Sequence, residues 1–177
     1  MSKKNSSVIL KNSFKEQEEL STIYSSFKKK ISHLKKKIFL VAVSGGPDSL
    51  ALAALAKSYN YNNKSKFYFV LVDHRIRKNS SAEAISVKKL LKRFKITLHI
   101  LKNKNSIKKN VQSEARNIRY NLLKKFCKQK KIQTILTAHN LEDQVETFFI
   151  RLSRGSGLQG LSSMNQINKI DTNINLV

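Results

Sequence analysis

Between residues 14 and 37 apolar side chains recur every three or four positions, at Leu20, Ile23, Tyr24, Phe27, Ile31 and Leu34. That spacing gathers them on one side of a helix and leaves a lysine-rich opposite side. The run IFLVAV (38–43) is continuously apolar with β-branched members, as expected of a strand covered on both faces. LALAALAKSY reads as a helix rich in Ala and Leu. The alternation then repeats: strand FYFVLV (67–72), amphipathic helix 82–94, strand ITLHIL (96–101), helix from about Val111 to Lys131, strand IQTILTA (132–138), and helix from Leu141 to Leu152. The closing NQINKIDTNINLV shows no clear element.

A βαβαβαβα order after an opening helix predicts the α/β class: a Rossmann-like parallel sheet with helices on both faces. Residues 1–37 form a basic N-terminal extension and amphipathic helix, 38–164 the main domain and 165–177 a truncated tail. Ligands of such sheets sit beyond the carboxyl ends of the strands. The three most distinctive polar motifs start there: SGGPDS after the first strand, DHRIRK after the second, HNLEDQ after the fourth.

Glycine usage sharpens the first of these. The chain has five glycines and one proline, and Gly45, Gly46 and Pro47 are consecutive. Gly155, Gly157 and Gly160 share the segment RGSGLQG, so ordinary turns fall to Asn, Lys and Ser. Glycine is reserved for positive φ or close approach of backbone to a ligand. Between a buried strand and a helix, Gly45 and Gly46 turn backbone amides toward an anion, and Pro47 suits the first helical turn, where its missing N–H costs nothing. With the positive helix end this makes a phosphate site. Ser44 and Ser49 add hydroxyls. Asp48 beside a phosphate calls for a divalent cation between them, so Mg2+ is expected at Asp48. The loop lacks the GK[ST] of a Walker A loop and is no GxGxxG. The alternative is a tight turn with a capping Asp.

Composition narrows the setting. The formal net charge is +24, which points to a polyanion, most simply nucleic acid. A lysine-rich coding bias is the bland alternative. There is no apolar run long enough to span a membrane and no signal-peptide core. One cysteine, Cys127, excludes an internal disulfide and a multi-cysteine metal cluster, which fits a reducing compartment. The eleven acidic residues concentrate in a few motifs. Asp143 and Glu146 are three apart on an expected helix and so share a face. Asp73 and His74 follow the second strand, where they line a pocket or form a turn. Arg116 and Arg119 lie three apart on one helix face, able to bind phosphate or simply to face solvent. Arg151, Arg154 and Gly155 suggest a second anion-contacting loop, and His139 a nucleotide contact or a cap.

SGGPDS resembles the SGGxDS signature of the PP-loop ATP pyrophosphatases, which cleave ATP to AMP and pyrophosphate and share an adenine nucleotide alpha hydrolase-like fold. LVDHRIRKNSSAEA (71–84), QSEARNIRY (112–120) and TAHNLEDQVETFFIRLSRGSGLQGLSSM (137–164) together resemble the tRNA(Ile)-lysidine synthase family, over roughly 38–164. The resemblance implies an ATP-dependent ligase that adenylates the wobble cytidine of tRNA(Ile) with a CAU anticodon. Free L-lysine then displaces AMP, changing decoding from AUG to AUA. It implies ATP at Ser44, Gly45, Gly46, Pro47, Asp48, Ser49, Asp73, His74 and Arg116. Asp48, Asp143 and Glu146 would be catalytic, and His139, Asp143, Glu146, Arg151, Arg154 and Gly155 would hold substrate. The setting implied is a bacterial cytoplasm, or an organelle matrix or stroma, without a membrane; a homodimer is left open.

Two departures stand out. Family members continue past GLSSM and usually carry further tRNA-gripping domains. EDQ stands where DDQ is more frequent, which keeps the carboxylate. The competing readings are another PP-loop tRNA-modifying enzyme, such as a thiolase, and a catalytically weak RNA-binding remnant. A single cysteine weighs against the former, because sulfur transfer generally needs paired cysteines.

Overall fold

The computed structural model describes residues 18–62, 65–103, 111–138 and 168–177. The elements run α1 (Glu18–His33), β1 (Ile38–Ala42), α2 (Pro47–Asn62), β2 (Lys66–Asp73), α3 (Ser80–Arg93), β3 (Leu98–Lys102), α4 (Val111–Lys130), β4 (Thr134–Leu136), β5 (Asn168–Asp171) and β6 (Ile174–Leu176). Each helix and strand expected between 18 and 138 is present, with ends moved by a few residues. The helix expected at 141–152 lies outside the described residues.

The strands form one sheet in the order β3-β2-β1-β4-β6-β5. Every pairing is parallel except that of β5 with β6. Strand alternation decides which side chain meets which helix. From β1 and β2, Phe39, Val41, Phe67, Phe69 and Leu71 point to a core shared with Ile31 of α1, Ala53, Ala56 and Tyr59 of α2, and Ala84 and Leu91 of α3. Leu40 and Val70 point the other way, to Leu123, Phe126 and Cys127 of α4. Both faces are thus covered, as a parallel sheet requires. Phe39 and Phe67, side by side on neighbouring strands, stack at 5.1 Å, and Tyr59 meets Phe67 edge-on.

The tail departs from expectation. NKID and INL are short and Asn-rich, with too little apolar content to signal a strand, yet they form a hairpin whose second strand lies beside β4. The Thr137 amide donates to the Val177 carbonyl at 2.8 Å, and the Val177 amide to Ile135 at 2.9 Å. The open side of β4 supplies the backbone partners that local sequence does not announce. Ile174, only 3% exposed, fills the second core.

Candidate active site

The order of the strands reverses direction at β1: β2 and β3 lie on one side of it, β4 on the other. Chains leaving the carboxyl ends of β1 and β4 therefore part in opposite directions and open a crevice. A cavity of about 400 Å3 occupies this place, a suitable size for a nucleotide. Ser44 and Ser49 line it from the first loop, Asp73 and His74 from the end of β2, Arg119 and Tyr120 from α4, and Thr137 and Ala138 from the end of β4.

The Ser44–Ser49 loop is braced by its own serines. The buried Ser49 Oγ accepts hydrogen bonds from the Ser44 and Gly45 amides, both at 3.1 Å, and donates to the Gly46 carbonyl at 2.9 Å. The Ser44 hydroxyl bonds to the Ser49 hydroxyl at 3.1 Å and accepts from the Gly46 amide at 3.4 Å. Gly45 has φ +96°, and a Cβ there would lie 2.9 Å from a γ-methyl of Val87 on α3. Only glycine satisfies both backbone and packing at this point. Pro47 begins α2, so the first-turn amides of that helix face the mouth of the loop with its positive dipole end. Asp48 is exposed in this first turn.

Asp73 is almost fully buried, at 3% exposure. One carboxylate oxygen accepts from the Arg75 amide at 3.0 Å and the Ser80 hydroxyl at 2.8 Å; the other accepts from the Ser81 hydroxyl at 2.6 Å. Burial pushes this carboxyl up, but the bonds from Ser81, Ser80 and Arg75 outweigh it and hold it below the usual carboxylate value. Asp73 thus ties the end of β2 to the start of α3, the turn-forming role, while lining the cavity. Arg75, with φ 55°, completes this tight corner.

His74 is held below the ordinary histidine range by burial first, and then by the neighbouring Arg119 charge, with Asp73 opposing. Its Nε2 accepts from Arg119 Nε at 3.4 Å. The neutral ring therefore carries its proton on Nδ1, which is buried and has no partner among the described residues. A buried donor at the cavity wall is a ready contact for a ligand acceptor.

Of the expected site residues, Ser44, Gly45, Gly46, Pro47, Asp48, Ser49, Asp73 and His74 come together at this end of the sheet. Arg116 is exposed on α4, its guanidinium 5.1 Å from the Tyr120 ring centre, and Arg119, three positions on, lines the cavity instead. Tyr120, Ser80 and Ser81 fall inside the motif stretches 112–120 and 71–84 without standing out there; serine at a helix start reads as a cap. His139, Asp143, Glu146, Arg151, Arg154 and Gly155 lie outside the described residues. Among the described residues no three His, Cys, Asp or Glu side chains converge to cage a metal. A divalent ion at Asp48 would have to share its coordination with ligand phosphates, the usual habit of Mg2+.

A family model described as a PP-loop domain matches residues 17–177. The chain is 43% identical over 128 residues to the tRNA(Ile)-lysidine synthase of Orientia tsutsugamushi (strain Boryong), covering 71% of this chain and 29% of that protein. It is 40% identical over 152 residues to the chloroplastic tRNA(Ile)-lysidine synthase of Gracilaria tenuistipitata var. liui, covering 81% of this chain and 45% of that one. It thus spans less than half the length of either relative. Among solved structures it resembles a U34-tRNA thiolase from Methanococcus maripaludis with a [4Fe-4S] cluster. The TM-score is 0.67 at 19% identity, over 79% of this chain and 50% of the other, a likeness of fold.

Proposed function

The chain belongs to the PP-loop domain family, and from that premise we propose that it is the nucleotide-binding catalytic part of a tRNA(Ile)-lysidine synthase. The observation that carries the reading is a loop that requires glycine at residue 45, at the switch point of the sheet and just before the first turn of α2, in a chain 43% identical over 128 residues to such an enzyme. ATP binding follows from the family. The β and γ phosphates would lie against the first turn of α2, and the base and ribose in the cavity beside His74 and Arg119. Arg116 would reach a phosphate from the rim of α4.

The wobble cytidine oxygen is a poor leaving group, so its adenylation precedes attack by the side-chain amine of free lysine. The first-turn amides of α2 would stabilise charge on the departing pyrophosphate. Mg2+, held by the phosphates and Asp48, would add positive charge there. Asp143 and Glu146 would bind the lysine ammonium and position it; His139, Arg151, Arg154 and Gly155 would contact the tRNA or nucleotide. Cys127 supports ligation over sulfur transfer: it is fully buried, and burial pushes its thiol up to about 12. No helix among the described residues is long and apolar enough to cross a membrane, consistent with a cytoplasmic, stromal or matrix enzyme.

The test is incorporation of labelled lysine into tRNA(Ile) bearing CAU, with and without ATP, beside Asp48→Ala. ATP-dependent label that disappears in the variant is the expected result. Absence of label from folded protein that binds ATP and the tRNA would overturn the reading in favour of an RNA-binding role.

A further inference from the structure

The sheet has two poles, and most acids among the described residues gather at one of them, where Arg75, Arg77, Arg116 and Arg119 offset them. Glu18, Glu19, Asp48, Glu83 and Glu114 sit in first helical turns, and Asp73 ends β2, all at the pole that holds the cavity. At the opposite pole, where the parallel strands begin, lysines predominate among the exposed positions, beside the neutral Thr97 and Gln133. Lys95 precedes β3, Lys66 opens β2, Lys37 precedes β1 and Lys131 precedes β4. Because the sheet order is β3-β2-β1-β4, these four form a row across adjacent strands. At about 4.8 Å per strand the row is roughly 14 Å long. Lys35 and Lys36 lie beside it, and Lys36 Nζ donates to Gln133 Oε1 just before β4 at 2.8 Å. Among the described residues the acid that reaches this pole is Asp171, and Lys128 neutralises it at 3.0 Å.

The backbone of this row is unusual. Lys35, Lys95 and Lys131 have φ of 48°, 57° and 55°. Each ends a helix in the left-handed conformation that Gly or Asn adopts at least cost. The α3 and α4 ends repeat one motif: the amide of the next residue, Ile96 or Ile132, bonds back to the Leu91 or Cys127 carbonyl at 3.0 and 2.9 Å. A cation near a helix C-terminus is favoured by the dipole. That accounts for one basic residue per helix end. It does not account for Lys66 at a strand start, for the run 35–37, or for lysine at three strained positions in an Asn-rich chain.

We propose that this pole is a second RNA-docking surface, which grips the phosphodiester backbone of an RNA away from the reacting base. A row of roughly 14 Å is long enough to meet more than one successive phosphate of a single strand. Strands of five to eight residues put it roughly 17–26 Å from the glycine loop, so it would hold a different part of the RNA from the part being modified. The choice of RNA as polyanion rests on the proposed function; the position of the surface does not.

The left-handed lysines supply a variant that should not harm folding. In the triple substitution Lys35→Asn, Lys95→Asn, Lys131→Asn, each new residue suits its backbone. The control removes the same charge from exposed mid-helix positions, Lys88→Gln, Lys89→Gln and Lys125→Gln. Binding of tRNA(Ile) with CAU is measured by fluorescence anisotropy between 0.05 and 0.3 M salt, with ATP binding followed separately. The triple Asn variant should keep or raise the thermal midpoint and keep ATP binding. Its log–log salt slope should shrink by about two, about a hundredfold in affinity at 0.1 M against a 1 M reference. An unchanged slope would overturn the proposal. So would an equal loss in the control, which would reduce the effect to net charge, or a loss confined to anionic lipid vesicles or an acidic protein. Pole-dependent RNA binding without lysine incorporation would sink the proposed function alone. Incorporation with an unchanged slope would sink the docking surface alone.

Discussion

Replacing Gly45 by alanine tests whether the loop geometry is as constrained as it looks. Two separable costs meet there. The first is the backbone: φ +96° is disfavoured for any residue with a β-carbon, by about 1–2 kcal/mol. The second is crowding, because the new methyl would lie 2.9 Å from Val87 Cγ2. Val87 is β-branched on a helix and has almost one rotamer, so it cannot swing away, and α3 must shift at about 1–3 kcal/mol. Against these, alanine restricts the unfolded chain and returns about 0.4–1 kcal/mol. The net cost is about 1–4.5 kcal/mol, centred near 3, and the central value lowers the thermal midpoint by roughly 6–12 °C for a chain of this size. A double-mutant cycle with Val87→Ala divides the two. Truncating Val87 removes the crowding and leaves the backbone strain, so a coupling of about 1–3 kcal/mol is expected. ATP affinity should stay impaired in the double variant, because the loop amides are still turned from their native directions. A Gly45→Ala protein melting within a degree of wild type, or a coupling of zero, would refute the reasoning.

Asp73→Ala should destabilise by about 2–4 kcal/mol in urea titration, since it strands the Ser80 and Ser81 hydroxyls and the Arg75 amide that it now satisfies; Asp73→Asn should recover only part of this. His74 and His99 are both held below the ordinary 6.5, each by burial first and then by nearby cations. Above pH 6.5 both are neutral in either state and stability is complete. As pH falls below 6.5 the unfolded chain takes up protons that the native one refuses, so stability should fall, and His74→Gln should flatten the profile. Cys127, fully buried with its thiol pushed up to about 12, should resist a thiol reagent at pH 8 until the protein unfolds, so its labelling rate should follow urea concentration. Labelling of folded protein as fast as a free thiol would contradict its burial beneath α4.

Much of this protein is legible in the order of its residues. Apolar runs of five or six with β-branched members can be only buried strands when amphipathic helices alternate with them, and that alternation leaves a parallel sheet covered on both faces as the economical solution. The crowding of Gly45, Gly46 and Pro47 after the first strand locates the loop, because positive φ and a first-turn proline are local, steric properties. Three further matters needed the tertiary structure. The tail hairpin exists because β4 offers an unpaired edge, a backbone partnership that the side chains of NKID and INL do not encode. The choice of Arg119 over Arg116 for the cavity depends on how α4 is rotated against β1 and β2, and a spacing of three cannot set that angle. The gathering of lysines from four separate connections into one row arises from the strand order. Sequence determines which residues carry charge or tolerate a strained backbone; only the folded sheet decides which of them become neighbours.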